Sequence, residues 1–100
     1  MMSTPEGAVK RAVTKILKAH GAYYFYPVTG GFGRSGVPDI VACYKGRFIG
    51  IECKAGNNKP TALQQKNLND IMKAGGFSLV INEGNVDALE NVMTLWSLGG

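Results

Sequence analysis

The sequence predicts an α/β fold in the order helix, three strands, helix, strand, helix (αβββαβα), a mixed sheet flanked by helices. Two observations place the elements: apolar residues recur at helical spacing near both ends and again around residues 61–74, and residues 22–54 hold runs rich in aromatic and β-branched side chains. A third sets their arrangement, because Lys45-Gly46 separates two of those runs as a hairpin turn does.

A first helix is expected over residues 4–20, where Pro5 suits the first turn and Val9, Ala12, Val13, Ile16 and Leu17 share one face. Gly21 ends it, and Lys10, Arg11, Lys15 and Lys18 lie off the apolar stripe. Residues 22–29 read as a strand, residues 30–36 as a glycine-rich loop, and residues 37–44 and 47–54 as the two arms of the hairpin. After a turn at 55–60, a second helix covers 61–74 with Leu68, Ile71 and Met72 inward, and Gly75-Gly76 stops it. Residues 77–82 form a short buried strand, and Asn85 caps a last helix carrying Leu89, Val92, Met93 and Trp96.

A chain of 100 residues is expected to form a single domain, 1–100. Its 45% apolar and 18% charged residues are those of a soluble globular protein. No apolar run approaches the ~18–20 residues that cross a bilayer, and the N-terminus lacks a signal pattern, so an intracellular location and no membrane partner are expected. Cys43 and Cys53 fit no metal-binding spacing and read as reduced thiols buried in strands. The net charge of +4 is unevenly spread. Residues 1–73 hold all eleven Lys and Arg against four acids, a balance of +7, and residues 74–100 carry −3. Such a basic body favours a polyanion as partner.

The hairpin carries the chemistry, the alternative being that Pro38-Asp39 is a plain turn and Glu52 and Lys54 an ordinary same-face charge pair. With a two-residue loop at Lys45-Gly46, paired residues sum to 91, so Asp39 faces Glu52; with a three-residue loop the pairing becomes diagonal. Opposed side chains have Cβ atoms ~4.5–5.5 Å apart, so two carboxylates there repel unless a cation lies between them. Mg²⁺ or Mn²⁺ suits that role, since hard ions take oxygen ligands and can bridge to a phosphate. Alternation puts Lys54 on the side of Glu52, where an ammonium can orient a water or stabilise charge growing on phosphorus. The Cys53 carbonyl between them is a further possible ligand.

Two residues from the helices extend this set. Glu6 and Gln64 both project along the apolar stripes of their helices, toward the site. Ser3-x-x-Glu6 and Thr61-x-x-Gln64 equally fit capping boxes, and neighbouring Gln65 competes with Gln64 for the site position. The run from Gly31 to Gly36 matches GxGxxG, but a strand rather than a helix follows it, which excludes a dinucleotide site and a nucleotide cofactor. Arg34 and Ser35 in that loop, Lys10 and Arg11 on the first helix, and Lys59 are the candidate DNA contacts, against the alternatives of a solvated helix face and a loop that serves only as a flexible connection. His20, the only histidine, sits at a helix end as a capping residue and not as a ligand.

Through Glu6, Gly36-Val37-Pro38-Asp39, Ile51-Glu52-Cys53-Lys54, Thr61-Ala62-Leu63-Gln64 and Ala74-Gly75, the chain resembles the VRR-NUC (virus-type replication-repair nuclease) family of the PD-(D/E)xK superfamily. The resemblance implies a restriction-endonuclease-like αβββαβ core with an extra C-terminal helix. It also implies Mg²⁺ or Mn²⁺ on Asp39, Glu52 and the Cys53 carbonyl, catalytic Lys54, and support from Glu6, through water where it serves the metal, and from Gln64. The chain looks like the stand-alone, phage-type form in a bacterial cytoplasm, similar to homodimers that cut four-way (Holliday) junctions in branched DNA. Larger relatives act on flaps and interstrand crosslinks. Activity on flaps or linear duplex, or DNA binding without cleavage, are the competing expectations. A pure binder gains nothing from acids facing phosphate.

Overall fold

Among the described residues, seven elements follow one another in the expected order: α1 (Pro5–Ala19), β1 (Tyr23–Phe25), β2 (Ile40–Tyr44), β3 (Arg47–Cys53), α2 (Ala62–Lys73), β4 (Phe77–Ile81) and α3 (Val86–Ser97). The computed structural model describes residues 4–28, 30–31 and 33–99. The expected Ser3 cap, the strand end at Thr29 and the loop position Phe32 lie outside them. Among the described residues no helix is long and apolar enough to cross a membrane.

The strands form one sheet in the order β1-β2-β3-β4, antiparallel from β1 to β3 and parallel between β3 and β4. Lys45 and Gly46 take φ of 51° and 79°, the left-handed pair of a two-residue hairpin turn. The register follows at once: Tyr44 pairs with Arg47 and Ile40 with Ile51. On one face Ile40, Ala42, Ile49, Ile51, Cys53 and Ile81 pack against Val9, Val13 and Leu17 of α1 and Leu89, Met93 and Trp96 of α3. On the other face α2 lies over β3 and β4, with Ser78 Oγ donating to the Leu68 carbonyl at 3.0 Å.

Several expectations need correction. The strand over 22–29 shortens to three residues, and Pro27, which has no N–H for the ladder, lies beyond it. The strand from 37 begins only at Ile40, because Gly36 turns the chain at φ 75° and Pro38 lacks a donor. Cys53 is buried but Cys43 is exposed, since α2 leaves the outer face of β2 uncovered; both are free thiols. Met72 is 52% exposed rather than inward. Asn85 precedes α3 but makes no side-chain cap; its side chain instead accepts from Asn82 N–H and donates to the Val80 carbonyl. His20 does end α1 through its backbone, yet its ring reaches Glu90 of α3 at 3.0 Å.

Gly36 joins fold to site. A Cβ there would stand 2.6 Å from Leu63 Cγ and 3.0 Å from the Leu63 carbonyl, on a backbone already in the left-handed region. Gly36→Ala is therefore expected to cost roughly 2 kcal/mol in strain and crowding. A thermal melt checks this, and a drop in Tm of ~10 °C is the expected scale for a chain of this size.

Candidate active site

The site forms where β2 begins and β3 ends. Asp39 sits one residue before β2, and the hairpin register, extended by one pair, sets it opposite Glu52. The backbone ladder does not continue there. Instead Asp39 Oδ2 accepts the Cys53 N–H at 2.8 Å, so a side chain substitutes for a strand carbonyl. That bond fixes the carboxylate and aims it along the β3 terminus.

Glu52 is 1% exposed, and its Oε1 has no hydrogen-bond partner among the described residues. Its other oxygen lies 3.5 Å from Lys54 Nζ. Burial first, and the charge of Asp39 second, push its carboxyl up to about 7 against the opposing pull of Lys54. Lys54 is held by its own backbone, whose N–H donates to the Ile81 carbonyl at 2.9 Å. The Cys53 thiol faces the core and is pushed up to about 12, chiefly by burial, which makes it an inert packing group; only its main chain takes part in the site.

A buried carboxylate with one orphaned oxygen beside a second carboxylate is a costly arrangement in a bare protein. A hard divalent cation removes the cost, and the donor set is all oxygen, as such ions require. The carboxylates of Asp39 and Glu52 therefore fit a hard divalent ion. Among the described residues no third His, Cys, Asp or Glu, Glu6 included, joins a cluster with them. The charge of Glu6 is still felt at Cys53.

Gln64 and Gln65 separate clearly. Gln64 lines a cleft of about 440 Å³ together with Asp39, Lys10, Tyr26 and Val37. Its Oε1 accepts from Thr61 N–H at 2.9 Å in a complete capping box, leaving the amide N–H groups for the cleft. Gln65 points away and bonds Asn69. Capping and facing the site are thus compatible at Gln64.

The candidate DNA contacts divide. Lys10 lies inside the cleft, 3.6 Å from Asp39 Oδ1. Arg34 pairs with Asp70 of α2 at 3.5 Å. The Ser35 carbonyl accepts from Asn67 Nδ2 at 3.1 Å. Arg11 and Lys59 are exposed and have no place in the cleft.

Two positioning residues were not anticipated. Asn67, buried within α2, ties the loop before Asp39 to that helix; its one-turn spacing from Gln64 was the available signal. Glu83 accepts the Gly56 N–H with both carboxylate oxygens, at 2.9 and 3.1 Å, and so pins the turn that follows Lys54. That bond holds the Glu83 carboxyl below its usual range, and nothing local in the sequence announces it.

Residues 3–78 match the family described as archaeal Holliday junction resolvase (Hjc). The chain belongs to this resolvase family. Among solved structures, a VRR_NUC domain superposes with a TM-score of 0.73 at 26% identity, over 87% of this chain and 95% of that one. A search of curated proteins gives no match. The resemblance to VRR-NUC and the α/β nuclease core are borne out together, and the chain is a nuclease. The resolvase match ends within β4, so α3 lies outside it.

Proposed function

We propose that this resolvase-family nuclease is a divalent-metal-dependent endonuclease that cuts four-way DNA junctions as a homodimer. The observation that carries the proposal is the buried Glu52, with its unpartnered oxygen beside Asp39 and its other oxygen against Lys54. The family description and the VRR_NUC likeness support branched DNA as substrate.

Asp39, Glu52 and the Cys53 carbonyl would hold the ion. When bound, such an ion polarises a phosphate and lowers the pKa of water. The other residues then divide the work. Lys54, anchored through Ile81, presents a fixed ammonium to the charge that grows on phosphorus. Gln64 offers amide N–H donors to a phosphate or water in the cleft, and Glu6, in the first turn of α1, would act on the ion through water. Tyr26 and the backbone of Gly36 shape the wall against which a DNA strand lies. Arg11, Lys59 and the basic body of residues 1–73 supply the salt-dependent part of DNA affinity. Two cuts on opposed strands of a junction need two such sites, and each chain carries one set of Asp39, Glu52 and Lys54.

Labelled four-way junction, flap, linear duplex and single strand, each with Mg²⁺, Mn²⁺ or EDTA, test the proposal. Paired symmetric cuts in the junction, dependent on metal, are expected. Cutting confined to linear ends removes the junction assignment, and no metal-dependent cutting of any substrate removes the enzyme. Sedimentation of the free protein and of its junction complex checks the dimer.

A further inference from the structure

In the free protein each site carboxylate has its own lysine: Lys54 serves Glu52 and Lys10 serves Asp39. The two are built differently. Lys54 is 13% exposed at the end of β3 and held by its backbone bond to Ile81. Lys10 is 29% exposed, reaches in from α1 on a four-carbon stem, and stands 3.6 Å from Asp39 Oδ1, beyond hydrogen-bond distance. The two oxygens of Asp39 are also divided. Oδ2 already accepts the Cys53 N–H, so Oδ1, the oxygen facing Lys10, is the less occupied of the two for a cation. An ammonium and a divalent ion cannot share that oxygen at close range without strong repulsion. One must leave, and only Lys10 has both the freedom and an open cleft to turn into.

We propose that Lys10 is an exchangeable counter-ion of the site: it neutralises Asp39 in the metal-free protein and is released to a DNA phosphate when a divalent ion takes Asp39. The proposal rests on the metal-dependent reading above and deepens it. It makes phosphate binding by this residue conditional on metal, so the cleft acquires a cation for DNA only when it is loaded for cutting.

Mn²⁺ binding to the DNA-free protein, by calorimetry or by loss of the free-ion EPR signal, is the first readout. Lys10→Met is expected to bind Mn²⁺ roughly fivefold more tightly, the scale of a lost, partly exposed ion pair. Lys15→Met, an exposed cation on the same helix, is expected to leave Mn²⁺ affinity unchanged. The second readout is the salt dependence of junction binding, in Ca²⁺ and in EDTA. Lys10→Met should lower the slope by about one in Ca²⁺ and leave it unchanged in EDTA. An unaltered Mn²⁺ affinity, an equal effect from Lys15→Met, or the same loss of slope in EDTA overturns the proposal. If Lys10→Met does not fold, Lys10→Gln is measured in its place with the same expectations. Neither readout needs cleavage, so a wild-type protein that binds Mn²⁺ but cuts no DNA sinks the endonuclease assignment while leaving Lys10 to be decided.

Discussion

Asp39→Asn and Lys54→Met should each abolish or nearly abolish cleavage, but with opposite effects on metal binding. Asn keeps an oxygen for the Cys53 N–H that Asp39 now accepts at 2.8 Å, so the β2 and β3 ends stay joined and the fold is preserved. What it removes is the charge that a divalent ion needs. Metal affinity should fall steeply, and raising Mg²⁺ should recover part of the rate. Lys54→Met removes an ammonium 3.5 Å from Glu52 and leaves all three candidate ligands in place. Metal affinity should hold or rise, because a neighbouring positive charge has gone. The rate at saturating Mg²⁺ should still drop by ~10²–10³, the usual loss for one preorganised group aimed at transition-state charge. Lys54→Arg keeps the charge with a bulkier head and should recover only part of that loss. Single-turnover rates across a Mg²⁺ series, with junction affinity measured in Ca²⁺, separate these outcomes. A Lys54→Met enzyme that reaches the wild-type rate at high Mg²⁺ would remove Lys54 from the chemistry.

How much of this site can be read from the chain alone depends on how far apart its parts lie in sequence. The Asp39/Glu52 juxtaposition was legible because one local object sets it: Lys45 and Gly46 adopt the two left-handed conformations of a short hairpin, and period-two alternation does the rest. Gln64 was legible because helix spacing is equally local. Lys10 was not, beyond its place on a basic face. Its approach to Asp39 depends on how α1 docks across the sheet, and that docking follows from the fit of Val9, Val13 and Leu17 to side chains more than twenty residues away. The exposure of Cys43 has the same origin, since strand alternation assigns it a face but cannot say that α2 covers only β3 and β4. Glu83 shows the limit most plainly. Its grip on Gly56 spans 27 residues and looks, in sequence, like any acid in a turn. Asn85 was misread because a capping residue and a turn-bridging residue have the same local signature.

Glu52→Gln is expected to stabilise the metal-free protein at alkaline pH while destroying its activity. The folded carboxyl is raised to about 7 from an ordinary value of 4.5. Between those values the folded state keeps a proton that the unfolded chain releases. Stability therefore falls as pH rises through that window, and the penalty is complete above pH 7 and absent below 4.5. At about 1.4 kcal/mol per pKa unit, the full penalty is on the order of 3 kcal/mol. Glutamine has no charge to bury, so in EDTA at pH 8 the variant should melt roughly 10 °C above the wild type, and the gap should close by pH 5. The lost charge pairing with Lys54 reduces this gain but does not reverse it, since the glutamine amide oxygen can still accept from that ammonium. Divalent ions should close the same gap from the other direction. A ligand present at 100 times its Kd stabilises the folded state by about 2.7 kcal/mol, so saturating Mg²⁺ should raise the wild-type Tm at pH 8 and leave Glu52→Gln almost unmoved. Equal Tm differences at pH 5 and pH 8, or a Mg²⁺ response in the variant as large as in the wild type, would contradict the assignment. The expected pattern places the instability at the proposed site: Glu52 is a buried carboxylate with one oxygen unpartnered among the described residues, and that oxygen is the one the proposed metal ion would take.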